Sequence, residues 1–211
     1  MVRIKAIIFD MDGVLIDARE WHYEALNRAL GLFGYSISRV DHLTTYDGLS
    51  TKQKLGMLTV ERGLPIGLHD FINEMKQNYT QELVQLKCRP SFAHEYALSK
   101  LKGMGFILGV ASNSIRATVD LMMAKSGLAN YLEMTLSNQD VSKAKPDPQI
   151  YHTAAKRLGL TPGDCLVVED NPHGIRAARD SGAHVMVVRS PEDVFLDNIL
   201  EHLRKIEREN P

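Results

Sequence analysis

Apolar residues along the chain group into five short runs that are typical of buried strands. The runs are Ile4–Phe9, Phe106–Ala111, Leu132–Leu136, Cys165–Val168 and His184–Val188. They lack an alternation of apolar and polar residues, which indicates a parallel sheet covered on both faces. After the first run, a segment with helical spacing separates each strand from the next and predicts βαβ units. The sequence therefore predicts an α/β fold with a Rossmann-like parallel sheet core and helices on both faces.

Residues 17 to about 88 interrupt this alternation, because no strand-like run occurs there. Asp17 is predicted to cap a helix, with Glu20 completing a capping box. Apolar residues then follow at helical spacing, namely Trp21, Ala25, Leu26, Ala29, Leu30 and Phe33. Further helices are predicted over residues 51–62 and 68–86. We therefore expect an all-helical domain, residues 17–87, inserted after strand one into a core domain formed by residues 1–16 and 88–211.

Polar residues follow four of the five predicted strands. They are Asp10 and Asp12 after the first, Ser112, Asn113 and Ser114 after the second, Lys145 after the third, and Glu169, Asp170 and Asn171 after the fourth. In an open α/β sheet, ligands bind beyond the carboxyl ends of the strands. We therefore expect these four clusters to converge at one edge of the sheet.

The residue types in these clusters predict phosphate chemistry. Four carboxylates would repel one another, and a single lysine offsets only one of their charges. A divalent cation would offset most of the rest, and oxygen ligands suit Mg²⁺. A hydroxyl, an amide and a lysine are suitable donors to a phosphate group. Ser112 has an alternative interpretation as the N-cap of a helix that begins near Ile115. The residues by themselves favour a Mg²⁺-dependent site of phosphoryl transfer.

Composition narrows the classes of protein that the chain could belong to. It has 211 residues, of which 44% are hydrophobic and 24% charged, and its formal net charge is -1. That balance gives no support for nucleic-acid binding. With no apolar run near ~18 residues, neither a membrane span nor a secretion signal is expected. Cys88 and Cys165 are too few for a disulfide framework. We expect a cytoplasmic protein, and nothing in the sequence demands more than a monomer.

Four motifs in order give the chain a specific resemblance. A hydrophobic strand leads into Asp-x-Asp-Gly-Val-Leu-x-Asp at Asp10–Asp17, Ser112 ends a strand, Lys-Pro-x-Pro-x-x-Tyr occupies Lys145–Tyr151, and Glu-Asp-Asn occupies Glu169–Asn171. Over essentially its whole length the chain resembles phosphohydrolases of the haloacid dehalogenase (HAD) superfamily. The nearest subgroup carries a helical cap after strand one and includes β-phosphoglucomutase and phosphoglycolate phosphatase.

The resemblance implies a role for each motif residue. Asp10 would be the nucleophile that forms an aspartyl phosphate, and Asp12 the general acid and then the general base. The implied Mg²⁺ ligands are the Asp10 and Asp170 side chains and the Asp12 backbone carbonyl, with Glu169 as a further ligand or as a partner of the ligands. The implied phosphate-binding groups are Ser112, the backbone amide of Asn113, and Lys145. The expected substrate is a small phosphorylated metabolite, such as a sugar phosphate.

The cap contributes the candidate substrate contacts His22, Ser50, Thr51 and Lys52. In β-phosphoglucomutase the corresponding loop reads Gly-x-Ser-Arg, and its arginine grips the non-reacting phosphate. Thr51 stands at that position here, with Lys52 beside it. A lysine cannot reproduce the bidentate fork of an arginine. The sequence therefore favours a phosphatase, with a sugar phosphomutase as the alternative.

Overall fold

The computed structural model describes residues 4–46 and 48–209. The chain forms two compact units. The first consists of two stretches of chain, one up to Asp17 and the other from Arg89 onward. The second is the continuous stretch Ala18–Cys88. The expected domain limits, at 16/17 and 87/88, lie one residue from each of these boundaries.

The first unit contains a five-stranded sheet in the order β3-β2-β1-β4-β5. Its strands are β1 Ala6–Phe9, β2 Ile107–Ala111, β3 Met134–Leu136, β4 Cys165–Glu169 and β5 His184–Val187. All neighbouring strands pair in parallel. The five predicted strands are therefore confirmed, with small shifts at their ends.

The helices of the second unit come first along the chain, and the core helices follow. The second unit contains α1 Arg19–Gly31, α2 Arg39–Thr44, α3 Thr51–Arg62 and α4 His69–Lys87. The core contains α5 Phe92–Gly103, α6 Arg116–Lys125, α7 Gln149–Arg157, α8 Pro172–Asp180 and α9 Leu196–Glu209. Short 3₁₀ turns occur at Ile66–Leu68, Ala129–Tyr131, Asn138–Asp140, Pro162–Asp164 and Pro191–Asp193.

Helices cover both faces of the sheet, as predicted. On one face, α7 and α8 pack together, and their buried side chains join Ala6, Ile8 and Val167 in one hydrophobic cluster. Because successive side chains of a strand point to opposite faces, Ile7 and Phe9 lie on the other face. There α5 packs against β2 and α9. Every residue of β1 is buried, which explains why its sequence shows no polar alternation.

The helical unit has its own core, formed chiefly where α1 packs on α4. Ser50 begins α3 with a capping box, and Gly63 ends that helix at a φ of 70°. The predicted cap at Asp17 is wrong, because the N-cap residue of α1 is Ala18, which makes no side-chain hydrogen bond. Ala18 is completely buried, and such a position disfavours a charged capping side chain. The short helix α2 was not predicted.

Strand register determines which polar residues meet beyond the sheet. Phe9 is level with Val110 of β2 and with Val168 of β4. The Asp10 amide continues this ladder by donating to the Val168 carbonyl at 2.9 Å. One residue further along each strand, Asp10 and Glu169 are therefore brought to the same level.

Candidate active site

Lys145 lies at the centre of the polar cluster beyond the sheet. Its Nζ donates to Oδ1 of Asp10 at 2.6 Å, to Oε1 of Glu169 at 2.7 Å, and to the Ala111 carbonyl at 2.8 Å. The Lys145 side chain is only 4% exposed. Burial lowers its pKa, but the charges of Asp10 and Glu169 outweigh burial and raise that pKa well above its ordinary value. Lys145 is therefore a buried cation whose three donors are all used.

Glu169 is held at both carboxylate oxygens. Oε1 accepts from Lys145 and, at 2.8 Å, from the Tyr151 hydroxyl. Oε2 accepts from the backbone amides of Asp170 at 3.1 Å and Asn171 at 3.2 Å. Burial, followed by the charge of Glu169, raises the pKa of Tyr151 well above its ordinary value, so Tyr151 stays a donor. The Glu169 carboxylate is thus saturated with hydrogen bonds and rigidly positioned.

The carboxyl group of Asp10 is buried among charged side chains of both signs. Burial raises the pKa of its carboxyl well above the usual range. The Lys145 ammonium opposes this shift, whereas the negative charges of Glu169, Asp170 and Asp12 add to it. Asp10 therefore needs positive charge nearby to remain a carboxylate, and Lys145 supplies only part of it.

The chemistry of the donor set fits a hard divalent cation. Carboxylate oxygens of Asp10, Glu169 and Asp170 lie within 4.8 Å of one another. Three carboxylates and the ammonium of Lys145 leave two negative charges, which a divalent cation would offset. All-oxygen ligands are typical of Mg²⁺. Gly13 leaves space for Asp170, since a Cβ on Gly13 would lie 2.1 Å from Asp170 Oδ2.

Asp12 lies outside this three-carboxylate cluster and has a different neighbour. Its Oδ2 accepts a hydrogen bond from the Ser114 hydroxyl at 3.0 Å. The backbone around it is held by the Gly13 amide, which donates to the Ile16 carbonyl at 2.8 Å. The two acids that begin the first motif therefore have separate surroundings, Asp10 facing Lys145 and Asp12 facing Ser114.

The loop after β2 joins Ser112 and Asn113 to the rest of the site. Ser112 is 1% exposed, and its Oγ accepts from the Ser114 amide at 3.0 Å. It does not cap α6, whose N-cap residue is Ile115. The Asn113 side chain spans to the loop of Lys145, where its Oδ1 accepts from the Lys145 amide at 3.1 Å. Asn113 thereby links the second and third motifs.

Two residues belong to this site although the sequence assigned them no role. Tyr151 holds Glu169, and Ser114 holds Asp12. Both lie inside segments that the sequence singled out. A buried tyrosine needs a partner for its hydroxyl, and that requirement was the available signal for Tyr151. Ser114 had no comparable signal, because its contact depends on the approach of two loops.

The candidate substrate residues of the cap lie in the helical unit, Ala18–Cys88. Nδ1 of His22 is 3.3 Å from the Nζ of the buried Lys76. The Ser50 hydroxyl is engaged at the start of α3, where it accepts from the Gln53 amide at 3.3 Å. Thr51 and Lys52 form the first turn of that helix. Their proposed contact with substrate stays a prediction.

Comparison with known proteins identifies the family. The profile of the haloacid dehalogenase-like hydrolases matches residues 7–188. The chain belongs to this family. The expected resemblance is therefore confirmed, and so is the expectation of a hydrolase.

Relatives in the HAD family cover most of the chain. The phosphorylated carbohydrates phosphatase of Thermotoga maritima is 28% identical over 182 residues, which are 85% of this chain and 82% of that protein. Protein CbbY of Rhodobacter capsulatus is 27% identical over 90% of this chain and 87% of its own length. Among solved structures, β-phosphoglucomutase from Clostridium difficile shares the fold, with a TM-score of 0.82, 22% identity, and coverage of 97% of this chain and 99% of that one.

In the part of the chain that the structure describes, no helix combines the length and apolar character needed to cross a membrane.

Proposed function

We propose that this protein is a Mg²⁺-dependent phosphatase that hydrolyses a small phosphorylated metabolite, in particular a sugar phosphate. The observation that carries the proposal is the buried Lys145 ammonium, 2.6 Å from Asp10 and 2.7 Å from Glu169. A cation at this point favours the ionised form of Asp10, which a nucleophile requires, and offers positive charge to phosphoryl oxygens. The names of two relatives support it, the phosphorylated carbohydrates phosphatase above and pyrophosphatase PpaX of Bacillus velezensis, 26% identical over 190 residues.

The proposed reaction has two steps. First, an Asp10 carboxylate oxygen bonds to phosphorus while the bond from phosphorus to the leaving oxygen breaks, and Asp12 gives that oxygen a proton. Second, Asp12 takes a proton from water as the water attacks the aspartyl phosphate, which releases inorganic phosphate and restores Asp10. One side chain can serve both steps, because the first leaves it ionised and ready to act as a base.

Three groups would hold the phosphoryl oxygens during both steps. The Ser112 hydroxyl and the Asn113 backbone amide would donate hydrogen bonds, whereas the Lys145 ammonium, whose three donors already have partners, would act through its charge. The Asn113 side chain, which bonds the Lys145 backbone, would keep two of these groups in a constant relation. Such fixed donors stabilise charge in the transition state without having to reorganise.

Asp10 and Asp170, with the Asp12 backbone carbonyl, would hold Mg²⁺. Glu169 would act through its neighbours, because both its oxygens already accept hydrogen bonds. When bound, Mg²⁺ supplies Lewis-acid polarisation of a phosphoryl oxygen and offsets the excess negative charge. Glu169 therefore fits the role of a residue that orients Lys145 and the Asp170 loop.

The test is release of inorganic phosphate from a panel of sugar phosphates, phosphoglycolate and polyol phosphates with Mg²⁺. Wild-type protein should release phosphate from at least one of them. Asp10→Asn should lower turnover by at least about 10³-fold with its fold intact, since it lacks the nucleophile. Asp180→Asn, an exposed carboxylate 3.4 Å from Arg176, is the matched control and should keep full activity.

A covalent trap makes the proposal more specific. Acid-quenched wild-type enzyme should carry a phosphoryl group on Asp10 that hydroxylamine removes. Phosphate release by Asp10→Asn at the wild-type rate would contradict the mechanism. A wild-type enzyme that interconverts sugar phosphates with a bisphosphate primer and releases almost no phosphate would instead identify the mutase alternative.

A further inference from the structure

The side chain of Asp12 is asked to give and take protons, so its orientation matters as much as its presence. The chain fixes the backbone on which it stands. The amides of Leu15 and Ile16 both donate to the Met11 carbonyl, at 3.0 Å and 2.9 Å. These bonds close a tight loop around Asp12. They do not fix the rotation of its carboxyl group, to which side-chain contacts contribute.

Ser114 makes one such contact, with its Oγ 3.0 Å from Asp12 Oδ2. The two residues are 102 positions apart in sequence and come from the loops after β2 and β1. A hydroxyl bonded to one carboxyl oxygen restricts rotation about the bond that carries the group.

Ser114 is itself held firmly enough to serve as a reference point. Its amide donates to Ser112 Oγ at 3.0 Å, and its carbonyl accepts from the Asn138 amide at 3.1 Å. Asn138 in turn donates from Nδ2 to the Asn113 carbonyl at 2.8 Å. The segment that carries the Ser114 hydroxyl is thus bonded on both sides, as a positioning group must be.

We propose that Ser114 is a positioning residue that orients Asp12 for proton transfer to the leaving group. Its hydroxyl donates to Oδ2 of Asp12 and thereby helps to fix the plane of that carboxyl group. As Asp10 bonds to phosphorus and the bond between phosphorus and the leaving oxygen breaks, the proton of the Asp12 carboxyl group moves to the departing oxygen. The inference rests on the proposed phosphatase function and adds to it a residue that acts through Asp12.

The test compares two esters that differ in their need for a proton. An alkyl phosphate, such as a sugar phosphate found in the panel above, has a leaving oxygen that must be protonated to depart as an alcohol. The leaving group of p-nitrophenyl phosphate departs as a stable anion without a proton. The measured quantity is kcat/KM, because it reports the steps up to departure of the leaving group and excludes hydrolysis of the common aspartyl phosphate.

Ser114→Ala should lower kcat/KM for the alkyl phosphate by about 10- to 100-fold, part of the 10²–10⁴ that general acid catalysis contributes. For p-nitrophenyl phosphate the loss should stay below about 3-fold. Ser114→Thr keeps the hydroxyl and should restore most of the alkyl phosphate activity. Thr161→Val is the matched control, because it removes another hydroxyl that donates to a carboxylate, Asp164 at 2.6 Å, before the start of β4. Thr161→Val should leave kcat/KM unchanged for both esters.

Two results would overturn the inference, and they differ. If the wild-type enzyme is active and Ser114→Ala lowers kcat/KM equally for both esters, or for neither, the positioning role alone is rejected. A wild-type enzyme with Mg²⁺ that cleaves neither ester would reject the proposed function and this role together.

Discussion

Gly174 of α8 has no room for a side chain, because a Cβ on it would lie 1.7 Å from Oε1 of Glu169. That oxygen is the one that binds Lys145 and Tyr151. A helix residue without a side chain therefore allows the buried carboxylate to reach its cation. The requirement is one of space, since Gly174 is not among the glycines with positive φ.

Gly174→Ala should consequently displace Glu169 and disturb Lys145. We expect a loss of about 1–3 kcal/mol in the free energy of unfolding, typical of overpacking, together with a marked fall in phosphatase turnover. Urea denaturation and phosphate release measure the two effects. Gly103→Ala, also on a helix but with nothing within 4 Å of the added Cβ, is the control. Unchanged stability and turnover in Gly174→Ala would argue against this account.

Lys145→Met should destabilise the protein strongly when Mg²⁺ is absent. The substitution leaves Asp10 and Glu169 buried without their cation, and breaking a buried ion pair costs about 3–5 kcal/mol. The control is Lys143→Met, because Lys143 is exposed and 3.7 Å from Asp147. Adding Glu169→Gln to Lys145→Met should cost less than the sum of the two single changes, because the partners are coupled. Strict additivity would mean that the pair contributes no coupling energy.

Mg²⁺ should raise the melting temperature of the wild-type protein. A ligand present at 100 times its Kd stabilises the folded state by about 2.7 kcal/mol. Asp170→Asn should reduce the shift, whereas Asp180→Asn should preserve it. Differential scanning fluorimetry at constant ionic strength measures the effect. An equal shift in the Asp170→Asn variant would exclude that carboxylate as a ligand.

Asp140 should make stability depend on acid pH. Although burial raises its pKa, hydrogen bonds from the Ser137 amide and hydroxyl, and from Arg157 and Arg116, lower that pKa below its ordinary value. A carboxyl with a depressed folded-state pKa stabilises the fold above the unfolded pKa of about 3.9. That contribution is lost as pH falls from this value toward the folded pKa.

The advantage of the wild-type protein over Asp140→Asn should therefore be constant down to about pH 5 and should shrink as the pH falls from there to about 2. Urea midpoints across this range measure the stability difference between the two proteins. The carboxyl groups that both proteins share titrate alike and cancel from that difference. Asp180→Asn should run parallel to the wild type. A constant gap between wild type and Asp140→Asn at every pH would show that the ionisation of Asp140 does not contribute.

The local pattern of apolar and polar residues was enough to predict the strands and most helices. A fully buried strand, for example, must be apolar along its length. The pattern was enough for α3, whose observed bounds, Thr51–Arg62, are those predicted. It was insufficient for the start of α1, where the buried Ala18, and not the expected Asp17, is the N-cap residue. It also missed α2, which has only six residues.

The sequence by itself determined the succession of strands and helices along the chain, the chemical groups at the strand ends, and the family. Tertiary structure alone decided which of those groups touch. Lys145 meets Asp10 across 135 residues of chain, and Ser114 meets Asp12 across 102. Such contacts depend on strand order and register, which arise when non-local segments pack. The pattern of polar and apolar positions shows where each residue lies within its own strand or helix. The distances between residues of different elements are set only when the sheet assembles.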